Sequence, residues 1–300
     1  MKLHKKIKSN IDDNIKYILF TETDNLVIEA TFIDKHDGKN IICLPTQTSC
    51  CMNCKFCHVT DISEKVILRN LTSIEITEIV NYIFNDLNLS RNKMLLVSFM
   101  GCGEPLLNVR NLIDGMNVLN KQYNKIRFAI STSMPANIDK SFQYFVSNIK
   151  ENKLNVKLHL SLHYTNDVDR HEWMPKSENI VKSLENIKLY KEQTNNAVEI
   201  HYTLINHVND KKQDVEFLIE NFKGTGIRIK FIRYNAKGSI DSEETPIGKA
   251  KEIMKVLNLN NIETEYYIPP ARDIGGSCGQ ILTEEYLEHN QKRTTLLLEK

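Results

Sequence analysis

Three cysteines within eight residues, Cys50, Cys54 and Cys57, constrain this chain more than any other feature of its sequence. The loop reads Cys50-Cys51-Met52-Asn53-Cys54-Lys55-Phe56-Cys57, a C-x3-C-x2-C spacing. The remaining cysteines are Cys43, Cys102 and Cys278, which makes seven, an odd number that fits a disulfide framework poorly. Clustering of this kind in a cytosolic chain points to metal or redox chemistry. Three thiolates on one short loop can hold three irons of a 4Fe–4S cubane and leave the fourth iron open to a non-protein ligand. A ferredoxin supplies four cysteines, and structural zinc wants a closed tetrahedron. Zinc with His58 as a fourth ligand is the alternative, but His58 directly follows Cys57, a poor spacing for a shared metal.

The rest of the sequence reads as an ordinary globular enzyme. Hydrophobic residues make up 41% and charged residues 26% of 300, which excludes a disordered chain or a disulfide-packed miniprotein. No apolar run reaches the roughly 18 residues of a membrane span. The basic opening MKLHKKIKSN runs into Ile11-Asp12-Asp13-Asn14 rather than an apolar stretch, so no signal peptide is expected and the cytoplasm is the expected compartment. A net charge of +1 neither demands nor excludes nucleic acid, because a basic stripe can hide inside a neutral total.

Strand-like and helix-like segments alternate. Strands are expected at 40–44, 93–100, 126–132, 156–162, 198–204, 227–232 and 262–268. Helices are expected near 109–120, 139–149, 178–191, 211–222 and 246–257. A further helix opens on the capping box Thr72-x-x-Glu75 and carries Ile76, Ile79, Val80, Ile83, Phe84 and Leu87 on one face. This alternation predicts an α/β fold, a partial barrel with helices outside. Strands 126–131, 156–163 and 198–204 alternate apolar and polar residues, where a parallel strand buried on both faces should be nearly all apolar. Their polar side is therefore expected to face a wet or ligand-filled interior. A small hairpin is expected over 17–33, turning near Asp24-Asn25, with Lys2, Lys5, Lys6 and Lys8 on a solvated tail before it. The expected organisation is a tail and hairpin over 1–38, one barrel over 39–268 and a C-terminal extension over 269–300 with a helix near 282–288.

Met100-Gly101-Cys102-Gly103-Glu104-Pro105-Leu106-Leu107-Asn108 is the second strong signal, a Gly-rich turn after a strand where a ligand can approach the backbone. With the cluster loop it resembles the signature of radical S-adenosylmethionine (SAM) enzymes. More narrowly, the chain resembles the RlmN/Cfr family of radical SAM adenine C-methyltransferases, from about residue 16 to about 288. The motifs that carry the resemblance are Thr46-Gln47-Thr48-Ser49-Cys50, Arg69-Asn70-Leu71, Ser131-Thr132-Ser133, Ser161-Leu162-His163, His207-Val208-Asn209-Asp210, Tyr234-Asn235 and Ser277-Cys278-Gly279-Gln280. Cys102 stands where the family has Met.

The resemblance implies a partial (β/α)6 barrel and two cofactors, a 4Fe–4S cluster on Cys50, Cys54 and Cys57 and SAM. It implies SAM contacts from Gly103, Glu104, Ser131, Ser161, Leu162, His163 and Asn235. It implies methylation of adenine C2 or C8 in ribosomal or transfer RNA. Cys278 would carry the methyl group, Cys43, seven positions before Cys50, would resolve the protein–RNA adduct as a disulfide, and Glu29 would accept a proton. It further implies an electron donor such as flavodoxin or ferredoxin, and the chain is expected to be a monomer without a membrane partner. Cys51 and Cys102 are expected to be packing residues. The family usually has a helical accessory domain before the hairpin, and only about fifteen residues stand there in this sequence. A truncated relative could act on a smaller RNA, a free nucleotide, a peptide or a metabolite.

Overall fold

The structure, a computed structural model, describes residues 1–34 and 38–276. Strands β1 (Lys2–Lys8), β2 (Ile15–Phe20) and β3 (Val27–Asp34) run antiparallel onto β4 (Lys39–Cys43). From β4 the pairing is parallel through β5 (Met94–Phe99), β6 (Ile126–Thr132), β7 (Val156–Ser161), β8 (Val198–Leu204), β9 (Arg228–Arg233) and β10 (Thr264–Tyr267). A parallel neighbour cannot be reached by a tight turn, so each step needs a crossover. The crossovers are α1 (Ser73–Asp86), α2 (Val109–Gln122), α3 (Asp139–Glu151), the short α4 (Asp167–Trp173) followed by α5 (Ile180–Thr194), α6 (Lys212–Phe222) and α7 (Ile247–Leu259). The ten strands form one sheet in chain order, an open TIM-like partial barrel of six β/α steps.

The helices follow the apolar spacing read from the sequence. In α1, Ile76, Ile79, Val80, Ile83 and Phe84 are buried, and the Thr72/Glu75 capping box is formed. Val156, Leu158 and Leu160 of β7 and Ile200 and Tyr202 of β8 join the core between sheet and helices. Their polar neighbours occupy the inner face. Among the described residues, no helix is long and apolar enough to cross a membrane.

One expectation changes. Residues 2–8 are a strand and not a tail: β1 is the sheet edge, and Lys6 is 2.6 Å from Asp86. Lysines on an outer strand also discourage pairing with another chain. The sheet then continues from β3 into β4 across the expected boundary at 38/39. The hairpin turn is where it was expected, with Asn25 at φ 55° and the Thr21 hydroxyl donating to Asp24 at 2.6 Å. The helix near 282–288 and Cys278 lie outside the described residues.

Candidate active site

The cluster loop leaves β4 at the carboxyl edge of the sheet, where βα connections gather functional groups. Cys50, Cys54 and Cys57 are free thiols packed with Met52, Tyr164, Trp173, Met174 and Tyr234. Asn53 turns the loop at φ 54°. Cys57 N–H donates to Cys54 O at 3.0 Å, Lys55 N–H to Trp173 O at 2.8 Å and Lys237 Nζ to Cys57 O at 3.1 Å. Burial pushes the Cys50 thiol up to about 12 and Cys54 well above the usual thiol range, and mutual repulsion between the three sulfurs adds to it. Thiols raised in this way do not ionise without a cation to hold them, which fits a loop that a metal centre completes. The His58 ring is turned to the backbone of Asn235. That is a different employment from the zinc alternative.

The Gly-rich loop is clamped against the cluster loop. A Cβ at Gly103 (φ +100°) would come within 2.7 Å of Gln47 Cβ and 2.8 Å of its backbone nitrogen. Gln47 Oε1 accepts from Glu104 N–H at 2.8 Å, and its amide donates to Asn70 at 2.8 Å. Asn108 donates to the carbonyls of Thr46 at 2.8 Å and Leu71 at 2.7 Å. The Gln47, Asn70 and Asn108 motif residues thus sew three separate segments into one cradle.

Glu104 is among the expected SAM contacts. Its buried carboxylate accepts four bonds from the chain: Leu106 N–H at 3.1 Å, Thr132 hydroxyl at 2.7 Å, and the Ser133 amide and hydroxyl at 2.9 and 2.8 Å. That set fills the acceptor capacity of a carboxylate. Glu104 therefore fastens the loop to the end of β6.

The other expected SAM contacts gather beside it. Ser131 and Ser161 hydroxyls are 3.0 Å apart. His163 sits at φ 54°, edge-on to Phe56 of the cluster loop at 5.0 Å between ring centroids. Its Nδ1 accepts from Thr203 N–H at 2.9 Å, which leaves the proton on Nε2, and burial pushes its pKa well down, so the ring is neutral. Leu162 belongs to the core, and both its backbone groups are engaged, by Leu160 and His201 carbonyls and by Arg170.

Arg170 is a site residue that sequence reading missed. Its buried guanidinium donates to the carbonyls of Ser133 at 2.8 Å, Ser161 at 3.1 Å, Leu162 at 2.5 Å and Glu178 at 3.0 Å. It ties the ends of β6 and β7 together beside Cys54. It lies in the short α4, where no hydrophobic period marks it.

On the other side of the barrel, Lys16, Thr31, Cys43 and Ser98 form a row across β2 to β5. Lys16 Nζ is 2.8 Å from Glu29 and donates to Gly275 O at 2.7 Å. Thr31 Oγ1 is 3.5 Å from Gly276 O. The row thus runs beside the chain at Gly275 and Gly276, with Glu29 joined to its first member, Lys16.

The polar inner face expected of β7 and β8 is present, and at Glu199 it is filled by ion pairs whose cations reach partly to solvent. Glu199 is held by Lys157 at 2.6 Å, Arg228 at 2.5 Å and Lys230 at 3.1 Å, with His159 at 3.2 Å and His201 at 3.6 Å. Burial alone would raise the Glu199 carboxyl, but these neighbours carry it far below the usual range. His159, Glu199 and His201 converge like metal ligands. A dication there would meet three cations, each repelling it by roughly 4 kcal/mol per unit charge at 4 Å. The group is an ion-paired floor of the barrel.

Comparison with known proteins agrees with this geometry. Residues 44–219 match the Radical SAM superfamily. A probable dual-specificity RNA methyltransferase RlmN of Thermosipho melanesiensis is 33% identical over 278 residues, 91% of this chain and 77% of the relative. One from Thermotoga sp. (strain RQ2) is also 33% identical, over 94% of this chain and 79% of the relative. A solved radical SAM methyltransferase from Sphaerobacter thermophilus shares the fold, with TM-score 0.82, 21% identity, and 93% and 80% of the two chains covered. Streptococcus suis SuiB, solved with S-adenosylmethionine, aligns at TM-score 0.55 and 17% identity over 77% of this chain and 50% of its own. The chain therefore belongs to the radical SAM superfamily and, within it, to the RlmN family.

Proposed function

We propose that the protein methylates a ring carbon, C2 or C8, of adenine in ribosomal or transfer RNA. A family of radical SAM enzymes carries two cofactors, and here Cys50, Cys54 and Cys57 hold the 4Fe–4S cluster while the Gly103 cradle, Ser131, Ser161, His163 and Asn235 bind SAM. Together the bound cofactors supply radical chemistry that can take a hydrogen atom from an unactivated carbon. Such chemistry is needed because these adenine carbons offer no lone pair to an ordinary methyl donor.

The chain's own groups do the rest. Cys278, in the extension over 269–300, carries the methyl group as a thioether; the methyl would give up one hydrogen atom to the radical chemistry the cofactors supply, and its carbon bonds to the adenine ring carbon. The ring carbon loses its hydrogen as a proton, which Glu29 accepts, and the one surplus electron would return to the cluster as its electron acceptor. The Cys43 sulfur then attacks the Cys278 sulfur. An S–S bond forms, the Cys278 sulfur–carbon bond breaks, and its electron pair stays on the carbon, which takes up a proton to become the product methyl. A cellular thiol system reduces the disulfide for the next cycle.

The observation that carries this reading is the path of the chain before Cys278. Gly275 O meets Lys16 and Gly276 O meets Thr31, the first two members of the row whose third member is Cys43. One residue, Ser277, stands between Gly276 and Cys278, a span of at most about 7 Å.

The test is mass spectrometry of the Cys43→Ala variant isolated from cells. A nucleotide linked to the Cys278 peptide is the expected result, and sequencing the attached RNA names the substrate. A Cys278 peptide that is methylated but never linked would count against RNA as the substrate. An unmodified one, with the cluster loaded and SAM present, would reject the carrier role.

A further inference from the structure

Lys16 is a fully buried ammonium in the middle of an apolar strand, Ile15-Lys16-Tyr17-Ile18-Leu19-Phe20. Burying such a charge is costly unless it is paired, and Glu29 at 2.8 Å supplies the pairing. Charge balance does not account for its second contact, the 2.7 Å bond to the Gly275 carbonyl.

The segment that this bond reaches is conformationally demanding. Ala271 and Gly275 bracket a short 3-10 turn at φ 54° and φ 59°, a backbone state unfavourable for an alanine. Gly276 is packed so tightly that a Cβ there would meet Ala271 Cβ at 2.7 Å. Holding the segment requires anchors at both ends. The outer anchors come from the β1–β2 turn: Asp12 accepts from Ala271 N–H at 2.8 Å, and Asp273 accepts from the Ser9 hydroxyl and Asn10 N–H, each at 2.7 Å. Lys16 is the inner, buried anchor.

We propose that Lys16 is a positioning residue that uses one ammonium to seat the segment preceding the carrier cysteine and to fix the carboxylate of Glu29. The coupling means that the ammonium which fixes Glu29 is itself held at Gly275 while the segment is docked. Docking of the carrier segment and orientation of the proton acceptor are then one event. The inference rests on the carrier reading of Cys278 for its use, but its geometry does not depend on it.

The test compares hydrogen exchange in the cluster-loaded full chain with Lys16→Met, Glu29→Gln and Lys16→Met/Glu29→Gln variants. The amides of Ile274, Gly275 and Gly276 are the reporters, and β8 is the internal reference. Both Lys16 variants should exchange at least tenfold faster at the reporters with β8 unchanged, while Glu29→Gln stays near the parent. The fraction of chains isolated with a Cys43–Cys278 disulfide should fall severalfold in the same two variants. Should Lys16→Met alone not fold, the double variant, which leaves no unpaired buried charge, carries the comparison. Unchanged reporter exchange in the Lys16 variants would overturn the proposal. So would Glu29→Gln loosening the segment as much as they do, because Lys16 would then act only as a counter-charge. A parent protein that never forms the disulfide would reject the carrier reading while the exchange data still judged Lys16.

Discussion

Cys43 and Ser98 are register partners on β4 and β5, and the serine hydroxyl and the Met100 amide both hydrogen-bond the cysteine sulfur. Burial outweighs these donors and pushes the thiol up to about 11. Cys43 therefore rests as a thiol at neutral pH, with a thiolate fraction of about one in a thousand at pH 8. Iodoacetamide should label reduced Cys43 slowly, with a rate that rises close to tenfold per pH unit between pH 7 and 9. Peptide mass spectrometry after timed quenching reads this directly. A flat profile would mean that the thiol is already ionised and that the serine and amide, rather than burial, set its state.

His159, His163 and His201 are all buried, and burial holds each pKa below the ordinary imidazole value. The folded state thus keeps them neutral, while the unfolded chain takes up protons near pH 6.5. With more protons on the unfolded state, stability is complete above about 6.5 and is lost as pH falls from there toward the depressed folded values. Each histidine contributes up to about 1.4 kcal/mol per pH unit in that window. The urea midpoint should drop between pH 7 and pH 5.5, and His159→Gln and His201→Gln should each flatten the slope. Midpoints that do not move across this range would show that the rings are already charged in the folded protein.

Much of this site was legible because its residues sit in contiguous motifs. The cluster cysteines and the Gly103 turn show in local spacing; Ser131, Ser161 and His163 are picked out by the family resemblance, and the alternation of their strands adds only that they lie on an inner polar face. Arg170 and Lys16 were not legible, because their roles arise only from tertiary neighbours. Arg170 reads as one more charge in a polar helix, and Lys16 as an interruption in an apolar strand. Glu104 shows the converse case: the motif was found, but its partners came from β6, which no spacing within the loop announces. The floor around Glu199 followed the alternation, but its ion pairs come from β7, β8 and β9 together, which no single strand's pattern announces.

Arg170 makes a specific claim on substitution. Its planar fork reaches carbonyls of four residues in three segments, which a single ammonium cannot do. Arg170→Lys should destabilise the protein by about 3 kcal/mol or more, because each buried carbonyl left without a donor costs about 1–3 kcal/mol. SAM affinity should fall as well, since Ser133 and Ser161 lose their common tie. Urea unfolding and calorimetric titration with SAM measure the two effects. If Arg170→Lys kept parental stability, the carbonyls would not depend on the fork.

Gly103→Ala separates backbone strain from site geometry. Gly103 and Gly224 both have positive φ, +100° and +78°, but only Gly103 has a neighbour in the way; a Cβ at Gly224 meets nothing within 4 Å. Both alanine variants should cost about 1–3 kcal/mol from the conformation itself. Gly103→Ala must also displace Gln47, whose backbone nitrogen is tied to Cys102 O at 3.3 Å and whose side chain holds Glu104 N–H at 2.8 Å. The cradle cannot give at that point without releasing the loop from the cluster segment. SAM binding to the cluster-loaded protein should therefore weaken at least tenfold in Gly103→Ala and stay parental in Gly224→Ala. Equal SAM affinity in the two variants, at matched loss of stability, would mean that the Gly103 loop does not contact SAM.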